Sequence, residues 1–160
     1  MKNKSSIVVI AALTALAIAI GVLVLLGRED IQARQQQLAD GVLLIVYDDI
    51  THEITVEDIE ALGPQAFDAN YNRSGRPAEN RVFYGVRFAQ VFDLLEIDST
   101  ESYTVVFAAA DGYASALPMA QALGDAYLVL CGELGPFRMV LPHDPVSQRW
   151  VHWLTDVTIS

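Results

Sequence analysis

The second half of the chain is cut into short apolar runs by turn-forming residues, and this spacing limits what it can fold into. Tyr103 to Ala109 precedes Asp111-Gly112, Tyr113 to Leu117 precedes Pro118, and Ala126 to Cys131 precedes Gly135-Pro136. Phe137 to Leu141 and Trp150 to Ile159 complete the series. Runs this short, rich in β-branched and aromatic residues and closed by Gly, Pro or Asp, predict strands joined by hairpins. Pro118 opens a short helix that ends near Gly124.

The first half mixes both periods. Val42 to Tyr47 is a β-branched apolar run of strand length. Thr55 and Asp58 have the spacing of an N-cap with an acidic first turn, and Ile59 and Leu62 give the following helix, 56–62, its buried side. Phe67 to Tyr71 is a strand, followed by an Asn-, Arg- and Gly-rich loop to Arg81. Val82 to Tyr84 is another strand and Gly85-Val86 a turn. Phe88, Val91, Phe92 and Leu95 recur at the spacing of one helix face, which predicts a helix over 88–95. Strands and helices do not alternate regularly, so the expected class is α+β, with mixed sheets and short helices.

Ahead of this lie 21 uncharged residues, Ile7 to Gly27. At ~1.5 Å rise per residue they span a ~30 Å hydrocarbon core. Lys2 and Lys4 precede the stretch and Arg28-Glu29-Asp30 follow it, so the positive-inside bias places the domain on the extracytoplasmic side of the cell membrane. A single-pass anchor is favoured over a cleaved signal peptide. The apolar run is longer than a signal core, and the one small-x-small triplet, Ala17-Ile18-Ala19, falls inside it. Ala11, Ala15 and Ala19 have a spacing that permits close packing with a membrane protein partner. The expected organisation is an anchor or signal segment over 1–28, a helical stalk over 29–41, and one domain over 42–160.

Beyond Gly27 stand 8 arginines, no lysine and 20 carboxylates, a formal charge of 8 − 20 = −12. Nucleic acid is excluded as a partner on that balance. Cys131 is the one cysteine, so no internal disulfide forms. No nucleophile elbow, His-Glu-x-x-His or phosphate-binding loop occurs, and the sequence assigns no catalytic residue.

Several pieces, taken in order, carry a family likeness. They are Gly85-Val86 leading to Leu94-Leu95, the strand before Ala110-Asp111-Gly112-Tyr113, Leu117-Pro118, Gly132, Gly135-Pro136-Phe137-Arg138 and the Trp-containing C-terminal segment. From about Thr55 to Ser160 this resembles the sulfite-oxidase-type molybdopterin-binding domain. The resemblance implies an oxidoreductase whose pterin-bound molybdenum exchanges an oxygen atom with substrate and passes electrons to a haem partner. It also implies a cysteine ligand to the metal near Asn70, Tyr71 or Asn72, where this chain has none. A soft thiolate sets the geometry and potential of such a centre, and neither Asn nor Tyr replaces it.

The sequence therefore favours a membrane-anchored ligand-binding or accessory module without molybdenum, taking a small anionic ligand or a protein partner. A molybdopterin-dependent oxidoreductase, or a subunit of an extracytoplasmic electron-transfer system, is the alternative. Candidate cofactor- or ligand-contacting residues are Asn70, Tyr71, Asn72, Arg73, Asp111, Tyr113 and Arg138. Asp111 has a local reading as well, accepting hydrogen bonds within its own turn. Arg138 either faces an anion or forms a salt bridge. Arg73, Arg76, Arg81 and Arg87 concentrate positive charge around one loop, which is either solvated or an anion pocket. His143, Asp144 and His152 lack a third partner at zinc-site spacing. Trp150 and Trp153, three apart in an expected strand, would face opposite sides, one in the core and one on a groove.

Overall fold

A computed structural model describes residues 31–72, 77–98, 102–132, 135–145 and 147–160. The apolar leader, Arg73 and Arg76 lie outside them. Among the described residues no helix is long and apolar enough to cross a membrane. Residues 31–40 are helical (α1), and one compact unit runs from Gln35 to Ser160.

Among the described residues nine strands form two sheets. The first holds β1 (Val42–Tyr47), β2 (Ile50–Thr55), β5 (Thr104–Ala109), β6 (Ala114–Pro118) and β9 (Leu154–Ile159), in the order β2-β1-β9-β5-β6. The second holds β3 (Gln65–Tyr71), β4 (Glu79–Arg87), β7 (Tyr127–Leu130) and β8 (Phe137–Val140), in the order β3-β4-β7-β8. Among these described strands only β1 and β9 pair in parallel, and the other pairings are antiparallel. Helices α2 (Val56–Ala61), α3 (Phe88–Leu94) and α4 (Met119–Asp125) are short. The α+β class expected from the sequence is the class observed.

Local chemistry accounts for the element ends. Thr55 closes a capping box on α2, its hydroxyl accepting from the Asp58 N–H while the Asp58 carboxylate accepts from the Thr55 N–H at 2.9 Å. In α3, Phe88, Val91 and Phe92 are buried, as their spacing predicts, and Phe88 packs edge-on against Phe107 of β5, 4.9 Å between centroids. One continuous core results, with Leu43, Ile45, Val105, Phe107 and Val157 from the first sheet and Val86, Leu128 and Met139 from the second.

Three features depart from expectation. Residues 50–55 form β2, paired with β1 through a hairpin whose Asp48 and Asp49 both have positive φ, 50° and 61°. Ile50 is exposed, which weakens the apolar signal of that strand. Gly85-Val86 is not a turn: β4 runs straight through it, because the backbone of β7 passes so close that only a glycine fits. Finally, Trp150 to Ile159 is not one strand. A 3₁₀ turn at Ser147–Arg149 leads to a single bridge between Val151 and Met139, and β9 begins only at Leu154.

Candidate functional site

The break before β9 helps to build a cleft. Trp153 adopts φ of 53°, a left-handed conformation rare for a bulky side chain and costing about 1–3 kcal/mol. Its carbonyl accepts the Ala110 N–H at 3.0 Å, which docks the β5–β6 hairpin against it. In that hairpin Gly112 has φ of 88°, and the Asp111 carboxylate accepts the Tyr113 N–H at 3.0 Å. The local role of Asp111 in its own turn is thus realised.

Between this hairpin and the end of β3 lies a cleft of about 570 Å³. Tyr71, Asp111, Tyr113 and Arg138 line it, four of the seven residues expected to contact a ligand. Ser147, Gln148, Trp150, His152 and Trp153 complete the lining. Its volume falls in the ~300–1,000 Å³ range of small-molecule sites.

Asn70 and Asn72 do not line the cleft; they hold its wall. The Asn72 N–H donates to the Ser147 hydroxyl at 2.8 Å, its side-chain amide donates to the Pro145 carbonyl at 3.0 Å, and the Ser147 hydroxyl donates to the Asn70 carbonyl. On the opposite side the Tyr113 hydroxyl donates to the Gln148 carbonyl. Sequence reasoning missed Ser147 and Gln148, since these tethers come from residues 35 to 77 positions away.

The aromatic wall is partly prepacked. Trp150 is buried, donates its indole N–H to the Leu141 carbonyl at 3.0 Å, and packs on Tyr71 with centroids 5.4 Å apart. The Arg81 guanidinium lies 4.5 Å from the centre of the Tyr71 ring. Trp153 differs: it is 37% exposed. The two tryptophans therefore divide into a buried and an exposed member, although both line the cleft and the division comes from the interruption of the strand before Leu154 and not from strand alternation.

Of the loop arginines, the two that are described, Arg81 and Arg87, do not converge on an anion pocket. Arg81 pairs with Glu79 at 2.6 Å, and Arg87 donates to the Tyr127 hydroxyl at 3.0 Å beside a separate cavity of about 120 Å³. The cleft guanidinium belongs instead to Arg138 on β8. Its Nε is buried and lacks a hydrogen-bond partner among the described residues, an arrangement that costs free energy unless something satisfies it. Arg149 is engaged elsewhere, bridging to the buried Asp144 at 3.1 Å.

Cys131 follows β7 and is half-buried against the core, outside the cleft lining. Burial raises its thiol pKa, an effect that nearby Arg138 opposes. His143 is exposed, and the described residues contain no group of three or more His, Cys, Asp or Glu that could hold a metal.

No family model and no curated protein matches the chain. Among solved structures, the sulfane dehydrogenase SoxCD from Paracoccus pantotrophus matches with a TM-score of 0.61 at 18% identity. The likeness is one of fold. It covers 79% of this chain but 38% of that one, and it supports the sulfite-oxidase-type architecture expected from the sequence.

Proposed function

We propose that this chain is a membrane-tethered, extracytoplasmic accessory module whose cleft binds a small anionic ligand without molybdenum chemistry. The observation that carries the reading is Arg138: a guanidinium in a cleft of ligand size, with a buried Nε–H that nothing in the described structure satisfies. The tether is the leader, Ile7 to Gly27, whose length and flanking charges suit a single crossing.

The residues present do not fit the metal centre that the family resemblance implies. That centre takes a thiolate from the segment where this chain has Asn70, Tyr71 and Asn72. Together the asparagines hold Pro145 and Ser147, and Tyr71 packs against Trp150 with the Arg81 guanidinium over its ring. The lone thiol, Cys131, lies outside the lining, and its burial disfavours the thiolate that metal ligation needs. Among the described residues the cleft also offers one guanidinium, a sparse set of donors for a pterin with a phosphate-bearing tail.

The fold likeness to a sulfane dehydrogenase keeps a second reading in view, a molybdopterin oxidoreductase with unusual ligation. Molybdenum and tungsten analysis, with pterin fluorescence after acid oxidation, separates the two on protein purified from its own host's membranes. The module reading expects both metal and pterin far below one per chain. Near-stoichiometric amounts of both would overturn it.

A further inference from the structure

The cleft is specific about charge and shape. Arg138 supplies positive charge, whereas Asp111 places a carboxylate in the same lining, with Oδ1 already accepting from Tyr113. A ligand bearing one negative charge satisfies the guanidinium, while a second charge shares the lining with the Asp111 carboxylate and is disfavoured. Compact inorganic dianions are therefore poor occupants.

The remaining surface is mostly rings. Tyr71 and Trp150 are packed on each other, and the Tyr113 hydroxyl is bound to Gln148. Tyr113 and Trp153 are both exposed with no ring partner among the described residues, but the Tyr113 hydroxyl is tied to the far wall, which leaves the Trp153 indole as the open ring face. Its backbone is held in the left-handed region by Ala110, and Gly135 lies directly behind its indole: a Cβ built on Gly135 would sit 3.3 Å from Trp153 Cδ1. A large aromatic side chain fixed at the mouth of a cleft, backed by glycine and still a third exposed, is a stacking platform in search of a flat ligand.

We infer that the cleft takes a flat aromatic monoanion of the arenecarboxylate class, its ring on Trp153 and its carboxylate on the Arg138 guanidinium. This deepens the ligand-binding reading and rests on it. A carboxylate matches the planar guanidinium fork of Arg138 in both charge and geometry. A fused two-ring acid fits well within about 570 Å³.

The test uses the full chain in mild detergent and three probes: 2-naphthoate, its uncharged analogue 2-naphthamide, and sulfate. Both tryptophans of the chain line the cleft, so calorimetric binding is checked by indole quenching. Binding of 2-naphthoate should exceed that of the amide and of sulfate by about tenfold or more. Arg138→Gln and Trp153→Leu should each lose about tenfold for 2-naphthoate, whereas Trp153→Phe, which keeps a ring, stays within about threefold of wild type. Should Arg138→Gln fail to fold, Arg138→Lys serves: it keeps the charge, loses the fork, and is expected to fall between. Sulfate binding as tightly as 2-naphthoate, and lost in Arg138→Gln, would overturn the inference while leaving the small-anion reading intact. Equal binding of the amide, naphthoate binding indifferent to both substitutions, or no heat from any probe would each overturn the inference. The metal and pterin measurement judges the broader reading independently.

Discussion

Substituting alanine for Gly85 isolates one close approach in the second sheet. A Cβ at this position would lie 2.4 Å from the Leu128 carbonyl oxygen, and 3.1 Å from both the Leu128 carbonyl carbon and Val129 Cα. The first distance is roughly 1 Å inside the separation at which non-bonded atoms attract. All three neighbours are backbone, so no side chain can rotate away. Relief requires β4 to draw back from β7 across the pairs Gly85↔Val129, Val86↔Leu128 and Arg87↔Tyr127. Overpacking a closed site costs about 1–3 kcal/mol, and stretching this short ladder forfeits about 1 kcal/mol per hydrogen bond. The expected loss is about 3–4 kcal/mol, or a fall in Tm of roughly 10–15 °C for a unit of this size. Gly124→Ala provides the control. Gly124 lies in α4 with nothing within 4 Å of an added Cβ, so the same change should stabilise by about 0.5 kcal/mol through helix propensity. Thermal melts of both variants by circular dichroism read the contrast. A Gly85→Ala protein melting within about 2 °C of wild type would refute the reasoning.

Other substitutions test separate parts of the structure. Gly135→Ala meets both a positive φ of 122° and a contact of 3.0 Å with Leu38 Cδ2; urea unfolding should show a loss of about 1–3 kcal/mol, with a shift in indole emission because Trp153 is the next neighbour. Thr55→Ala removes the α2 capping box and should cost about 1 kcal/mol by the same assay at neutral pH. Its hydrogen bonds from the Thr55 N–H and hydroxyl hold the Asp58 pKa below the ordinary value. That contribution is complete above the unfolded-state pKa of 3.8 and is lost as pH falls through the folded value, so the gap between wild type and Asp58→Asn should narrow on acidification below about pH 4. Cys131, its pKa raised by burial, should alkylate with iodoacetamide far more slowly at pH 8 in the native protein than in urea, as followed by mass spectrometry.

What the sequence disclosed, and what it hid, divides along the range of the interactions. Local chemistry was legible: the Thr55–Asp58 cap, the amphipathic face of α3, the Asp111-Gly112 turn and the β-branched run of β1 depend on neighbours within a few residues. β2 was hidden because its residues alternate across an edge strand with Ile50 exposed, so no apolar run marks it. Gly85 misled because glycine usually punctuates, whereas here it admits the β7 backbone. The candidate site was legible in four lining residues, Tyr71, Asp111, Tyr113 and Arg138. Its other wall was not. Ser147 and Gln148 are placed by Asn70, Asn72 and Tyr113 from distant parts of the chain, and the turn at Trp153 uses a positive φ without glycine.

Native mass spectrometry of the full chain, released from its own host's membranes, tests the central claim most directly by comparing wild type with Arg138→Gln. The account expects wild type to carry a small organic anion that denaturation releases, containing neither molybdenum nor pterin, and Arg138→Gln to lack it. An adduct retained equally by both proteins, or one that proves to be a molybdenum–pterin group, would contradict the account.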